Sequence, residues 1–251
     1  MPGRARVVAV IPARLASTRL PRKVLRQIAG EPMLAWVYRA ARACAQLDDV
    51  LIATDSAEVL DLAAAHGWSA MLTPADCASG TDRIHFVAQS VPADIYVNVQ
   101  GDEPLLRPAH IDSLLEPMLG GAAAAVSTLA TPCPGEDVSN PNVVKVTVAA
   151  DGRALYFSRA AIPFNRDGAA GIDYLKHLGL YAYRAAALRQ FPTLPPSRLE
   201  AAERLEQLRF LENGIPIHVA ITPHDTIGVD TEADLRAVEA LLLARPQPRR
   251  K

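Results

Sequence analysis

The chain has 251 residues, 26 Lys and Arg against 27 Asp and Glu, and a net charge of −1. Half of the residues are hydrophobic, which excludes a solvated disordered chain, and surface scaling has folding bury about 70% of the extended surface, enough for one large core or two modest ones. No apolar run approaches the ~18 residues of a membrane span, Val7–Ile11 is too short for a signal-peptide core, and Cys44, Cys77 and Cys133 are too few and scattered for a disulfide framework or a zinc ribbon.

The expectation is a soluble, cytoplasmic protein with no general pull toward nucleic acid or membrane. In chain order, Val7-Val8-Ala9-Val10-Ile11 is a continuous apolar run, as in a strand buried within a parallel sheet. A cationic loop, Pro12 to Lys23, follows. Leu34, Val37, Tyr38 and Ala41 then recur at helical spacing within Met33–Ala45. Val50–Ala53 reads as a second strand, Ser56 opens a helix, and Gly67 stops it. Ser69–Leu72 is a third strand, and a helix follows Thr81. Asp94–Val99 is the clearest later strand, Pro108–Leu119 the next helix, and Ala124–Leu129 a further strand. This alternation predicts an α/β fold with a mostly parallel sheet.

The second half departs from the alternation. Val144–Val148, Asp151-Gly152 and Ala154–Phe157 read as a hairpin with a type I′ turn. Ser197-Arg198-Leu199-Glu200 is a capping box that opens a helix running to Asn213-Gly214. Ile217–Ile221 is a strand, and Thr231-Glu232-Ala233-Asp234 a second capping box before the last helix. The reading is one domain over residues 1–245, with a hairpin-and-helix insertion at about 131–215. Residues 246–251 form a basic tail, expected to be disordered.

Charge is uneven along the chain. Residues 1–30 carry seven cations (Arg4, Arg6, Arg14, Arg19, Arg22, Lys23, Arg26) and no acid before Glu31. A local cationic segment in a neutral protein suits a small anionic ligand, or else is a solvated basic N-terminus. The loop after the first strand adds hydroxyls at Ser17 and Thr18, and ligand crevices of open α/β sheets lie beyond strand carboxyl ends. Neither a Walker A loop nor a Gly-x-Gly-x-x-Gly fingerprint occurs, which argues against P-loop ATPases and Rossmann dehydrogenases. Gly101-Asp102, past the best strand, and Gly228-Val229-Asp230, before the last helix, offer two carboxylates to a hard divalent cation, although each also suits an ordinary turn or cap. Ser79-Gly80-Thr81 suits close approach to a nucleotide or a plain N-cap at Thr81. Arg159 is suited to clamping a carboxylate. Glu206 and Gln207 read as mid-helix. His66, His85, His110, His218 and His224 show no metal spacing.

Taken together, these segments resemble the cytidylyltransferase family that makes CMP-Kdo, the CMP-activated form of 3-deoxy-manno-octulosonate (Kdo). The resemblance runs from about Val7 to Leu242. It rests on Ile11-Pro12-Ala13-Arg14, Ser17-Thr18-Arg19-Leu20-Pro21, Thr54-Asp55, Ser79-Gly80-Thr81 and Val97-Asn98-Val99-Gln100-Gly101-Asp102-Glu103-Pro104. Downstream it rests on Asn140-Pro141-Asn142, Tyr156-Phe157-Ser158-Arg159, His177-Leu178-Gly179, Leu205-Glu206-Gln207-Leu208-Arg209 and Gly228-Val229-Asp230-Thr231. It implies a Rossmann-like nucleotidyltransferase fold, a homodimer, Mg²⁺ dependence, and a place in lipopolysaccharide biosynthesis. The implied reaction is CTP + Kdo giving CMP-Kdo and pyrophosphate.

By the same resemblance, Ala13, Arg14, Arg19, Lys23, Ser79, Gly80, Thr81 and Gln100 bind CTP. Asp102 and Asp230 hold the metal, and with Arg19 and Lys23 they are the catalytic set. Gln100, Arg159, His177, Tyr181, Glu206 and Gln207 bind Kdo. Three positions depart from the family pattern. Arg22-Lys23-Val24 replaces the usual Gly-Lys-Pro, Cys77 stands where a His often precedes Ser-Gly-Thr, and Asp82 replaces a Glu. The rival readings are a CMP-sialate or amino-Kdo cytidylyltransferase and, outside enzymes, a non-catalytic nucleotide-sensing module.

Overall fold

A computed structural model describes residues 4–17, 19–77, 79–120, 124–168 and 171–244. Its elements in chain order begin with β1 (Val7–Pro12), β2 (Gln27–Ile28), β3 (Glu31–Pro32), α1 (Met33–Arg42), β4 (Asp49–Thr54), α2 (Ala57–Ala65), β5 (Ala70–Leu72), α3 (Gly80–Ala88), β6 (Ile95–Asn98) and α4 (Pro108–Leu119). They continue with β7 (Val126–Pro132), β8 (Lys145–Val148), β9 (Ala154–Ser158), β10 (Leu175–Arg184), α5 (Ala185–Gln190), α6 (Arg198–Glu203), α7 (Leu208–Glu212), β11 (Ile217–Ile221) and α8 (Glu232–Ala244). The result is the mixed α/β fold with a mostly parallel sheet that the alternation predicts. The tail at 246–251 and Thr18 lie outside the described residues.

The chain partitions into two compact units. The first comprises residues 1–92, 98–108 and 226–251, and the second 93–97 and 109–225. In the first, β4 pairs in parallel with both β1 and β5. Val8 to Ile11 are fully buried, which is why β1 reads as an unbroken apolar run. A second apolar cluster gathers Leu20 from the cationic loop, Ile28, Met33, Leu105, Val229 and, from α8, Leu235, Val238 and Leu242. Leu20 is thus an apolar anchor for a loop that carries Arg14, Arg19, Arg22 and Lys23.

In the second unit the strand order is β11-β7-β10-β6. β7 runs parallel to β11 and antiparallel to β10, whose register shifts between Leu178 and Tyr181. β8 and β9 form the expected hairpin. Its turn differs from the expectation. Type I′ needs positive φ at both central residues, yet of this turn only Gly152 has one, at +83°. Gly152 N donates to Ala149 O at 3.0 Å and Ala149 N to Arg153 O at 2.8 Å, the longer loop in which a left-handed glycine follows a tight turn.

Other elements also differ from the sequence reading. The helix opened by Ser197 breaks at Arg204, whose φ is +56°. Glu206 and Gln207 therefore lie in the turn between α6 and α7, not mid-helix. Glu200 does not close the predicted capping box, because its carboxylate holds Arg209 at 2.6 and 2.7 Å. Helix α3 begins one residue before Thr81 and is capped by Ser79, with the Asp82 side chain accepting from Ser79 N at 3.1 Å. The β2–β3 ribbon was not predicted. Its turn residues, Ala29 and Gly30, both have positive φ, and each strand is only two residues long, below the reach of periodicity.

Gly101 sits where β6 leads into the turn carrying Asp102. A Cβ there would lie 2.9 Å from Pro12 O and 3.3 Å from Val24 Cγ1, so main chain would have to shift. Gly101→Ala is expected to lower unfolding stability by about 1–3 kcal/mol, measured by urea titration. Unchanged stability would show that the turn is looser than described.

Candidate active site

A cavity of about 670 Å³ opens in the first unit, beyond the carboxyl ends of β1 and β6. Pro12, Arg14, Ala16, Ser17, Arg19, Lys23, Cys77, Ser79, Gly80, Arg83, Gln100, Asp102 and Asp230 line it. Eight predicted site residues thus meet at one place: Arg14, Arg19, Lys23, Ser79, Gly80, Gln100, Asp102 and Asp230. Ala13 and Thr81 stand fully buried behind them. The Ala13 N–H is taken by Ala53 O at 2.9 Å.

The charges converge. Lys23 Nζ donates to Asp102 Oδ2, and to Asp230 Oδ1 at 2.9 Å. Arg19 Nη2 pairs with the other Asp230 oxygen at 2.9 Å. Burial alone would lower the Lys23 pKa, but Asp102 and Asp230 outweigh it and raise the pKa above its ordinary value. Main chain carries the two carboxylates, with Val229 N donating to Asp102 O at 2.9 Å. Asp230 precedes α8, whose Asp234 accepts from Asp230 N at 3.1 Å and Thr231 N at 2.8 Å, as the second capping box predicts. Two carboxylates that already share one cation, facing a cavity with room for phosphate oxygens, are the oxygen donor set a hard divalent ion takes. Among the described residues no cluster of three or more His, Cys, Asp or Glu has metal-binding geometry.

The three departures from the family pattern acquire local reasons. Arg22 has φ +58°, the left-handed region that the family's usual glycine adopts freely, and its side chain turns to Glu58. Asp82 is spent on capping α3. Burial pushes the Cys77 thiol pKa up, which tells against an activated nucleophile. Arg83 escaped the sequence reading as a site residue. It is 3% exposed and bonded to Asp55 at 3.0 Å and to Thr73, while lining the cavity. Its only sequence signal was its place one turn into a helix that starts with small residues.

The other predicted sugar residues lie in the second unit. His177 Nε2 is 2.9 Å from the Tyr181 hydroxyl and 3.1 Å from Thr128 Oγ1. Phe157 meets the imidazole edge-on, with ring centroids 5.0 Å apart. Burial drives the His177 pKa down to about 3. Burial, then the neighbouring Tyr183 and Glu206, raise that of Tyr181. Gln207 is 5% exposed, and its Nε2 has no hydrogen-bond partner among the described residues. Arg159 donates from Nε to Glu203 O at 2.8 Å and from Nη1 to Pro141 O at 3.0 Å. Main-chain carbonyls therefore set the plane of its guanidinium.

Two supporting residues were not read from the sequence. The Glu203 carboxylate accepts from Ser158 Oγ at 2.6 Å and from Arg159 N at 2.9 Å. Lys145 is fully buried and donates to three carbonyls, those of Asn140 at 2.8 Å, Val143 at 2.5 Å and Arg159 at 2.7 Å. Nothing in local pattern marks either one, since Glu203 is 44 and 45 residues from its partners and the acceptors of Lys145 are main-chain carbonyls, which carry no side-chain signature.

Residues 8–219 match the family model described as cytidylyltransferase. The chain is 68% identical to the 3-deoxy-manno-octulosonate cytidylyltransferase of Acidobacterium capsulatum, covering 95% of this chain and 97% of that one. It is 58% identical to the protein of the same name from Koribacter versatilis, over 97% and 92%. Among solved structures it is similar to CMP:2-keto-3-deoxy-manno-octonic acid synthetase complexed with CTP, with a TM-score of 0.92, 44% identity, and coverage of 95% and 99%.

The His177 environment sets a pH dependence. The folded protein keeps His177 neutral down to about pH 3, whereas the unfolded chain binds its proton near the ordinary 6.5. The stability tied to this group is full above pH 6.5 and is lost as pH falls toward 3. Between pH 7 and 5 the wild type is expected to lose about 1–2 kcal/mol more than His177→Gln, measured by urea unfolding. Identical pH dependence in the two proteins would contradict the neutral imidazole.

Proposed function

The chain belongs to the cytidylyltransferase family, and from that premise we propose that it transfers CMP from CTP to the anomeric hydroxyl of Kdo, giving CMP-Kdo and pyrophosphate. The observation that carries the reading is the convergence of Asp102 and Asp230 on one cation in a cavity rimmed by Arg14, Arg19 and Lys23. Transfer of this kind depends on positioning and charge stabilisation more than on covalent chemistry. The sugar oxygen forms a bond to the α-phosphorus as the bond to the departing pyrophosphate breaks, and the hydroxyl proton passes to solvent.

Each residue then has a task. Arg14, Arg19 and Lys23 neutralise the triphosphate, and Arg19 and Lys23 meet the charge that grows on pyrophosphate. Ser79, Gly80 and Thr81, at the N-terminal end of α3, border the nucleotide, with Ala13 behind and Gln100 beside it. Asp102 and Asp230 would hold Mg²⁺, which when bound neutralises phosphate charge and lowers the pKa of the attacking hydroxyl. Gln100, Arg159, His177, Tyr181, Glu206 and Gln207 bind Kdo, with Arg159 on its carboxylate and the others on hydroxyls. The Nε2 of the buried Gln207, without a partner among the described residues, supports this assignment, because such a group costs stability unless a ligand satisfies it. The family resemblance supports a homodimer, a cytoplasmic setting and a role in lipopolysaccharide biosynthesis. No helix among the described residues is long and apolar enough to cross a membrane.

Asp102→Asn and Asp230→Asn are each expected to lower turnover on the order of 10²–10⁴-fold in folded protein, followed as pyrophosphate release from CTP, Mg²⁺ and Kdo. Near wild-type turnover in either variant would remove the carboxylates from the mechanism. Sugar choice is a separate test. Sialic acid shares the anomeric hydroxyl and carboxylate of Kdo, so discrimination rests on polar groups that the wrong sugar leaves unpaired, at about 1–3 kcal/mol each. Two such losses give kcat/KM for Kdo at least ~10³-fold above that for sialic acid. Comparable values would overturn the choice of sugar and leave cytidylyl transfer standing.

A further inference from the structure

The two carboxylates of the cavity are already engaged. Lys23 Nζ contacts one oxygen of each, and Arg19 takes the remaining oxygen of Asp230. The Lys23 side chain is 14% exposed, against 27% for Asp102 and 43% for Asp230. The cation is therefore the most sheltered of the three groups, and solvent screens its contacts less than it would those of a surface pair. A divalent ion arriving alone must displace this ammonium from both carboxylates at once.

A triphosphate changes that balance. It brings several anionic oxygens into the cavity that Arg14, Arg19 and Lys23 line, and charge-assisted bonds to phosphate compete for the same ammonium. Resting on the cytidylyltransferase reading above, we propose that Lys23 is a built-in competitor for the metal carboxylates, which it occupies in the nucleotide-free protein and releases to the nucleotide. Metal affinity is then coupled to nucleotide binding, and by linkage the coupling is reciprocal. The protein takes up its metal with the nucleotide and keeps the carboxylate pair assembled beforehand, at the cost of weak metal binding on its own.

The competition that underlies this coupling is read without turnover, by titrating Mn²⁺ into nucleotide-free protein and following free Mn²⁺ by electron paramagnetic resonance. Lys23→Met is expected to bind Mn²⁺ about tenfold or more tightly than wild type, the equivalent of one charge-assisted hydrogen bond (~1.4 kcal/mol). The gain should vanish in Lys23→Met combined with Asp102→Asn. Lys23→Gln, which keeps a polar donor beside the carboxylates, is a second variant with the same expected direction. If neither variant binds more tightly than wild type while Asp102→Asn still weakens binding, the competition is overturned and the carboxylate metal site stands. If Mn²⁺ affinity is indifferent to Asp102 in every background, both the competition and the metal assignment fall.

Discussion

One ammonium shared by two carboxylates organises the first unit. Lys23 is 79 residues from Asp102 and 207 from Asp230 along the chain, so three distant segments must be delivered to the same few ångströms. Charge alone would not do this, because half-exposed ion pairs contribute little net stability. The delivery is apolar. Leu20 and Ile28 bracket Lys23, Leu105 follows Asp102, Val229 precedes Asp230, and all four lie in one cluster with Met33 and the inner face of α8. Burial of this kind contributes about 25 cal/mol per Å², and hydrogen bonds add direction. Val229 N meets Asp102 O, and Glu239 on α8 accepts from Ala29 N at 2.7 Å. The polar site is thus held from behind by apolar neighbours one to five residues away in sequence.

The second unit is built on the opposite principle. Its candidate sugar residues stand among aromatic rings, with Tyr181 stacked on Tyr183 at 5.8 Å and Phe191 against Phe210 at 4.9 Å. In such surroundings ionisation is suppressed, which keeps His177 neutral and Tyr181 a phenol. Neutral hydroxyl, imidazole and amide groups suit a polyhydroxylated ligand, whose own groups are neutral apart from its carboxylate. Lys145 carries a charge in this unit that is structural. Its charge is spread over three carbonyls, one of them that of Arg159, so it braces the loop from which the guanidinium projects.

Much of this was legible in the chain. β1, α4 and β11 follow from apolar runs and period, and the cap at Thr231 from its spacing to Asp234. The motif resemblance located the residues that the cavity brings together, because those side chains occur at fixed offsets from strand ends. What escaped the reading shares a physical character. The break at Arg204 replaces a helix with a left-handed residue that is not glycine, which local propensity does not signal. The hairpin turn was mistyped because Asp-Gly suits both a two-residue turn and the longer loop ending in a left-handed glycine. Arg83 and Glu203 act through partners ten to tens of residues away, and Lys145 through main-chain carbonyls two to fourteen residues away; neither kind of pairing leaves a mark on periodicity. The position of Arg22 is the instructive middle case. The departure from glycine was visible, but only the backbone angle explains what the glycine would have been for.

The central claim is chemical: the bond that breaks joins the α-phosphorus of CTP to its pyrophosphate, and a sugar hydroxyl replaces it. Phosphorus NMR of CTP, Kdo and Mg²⁺ with the protein tests this directly. The account predicts that the three CTP resonances give way to one phosphodiester signal and one pyrophosphate signal, in equal molar amounts and only when Kdo is present. Formation of CDP with a phosphorylated sugar, or with free phosphate, would place the reaction at the γ-phosphorus and contradict the account.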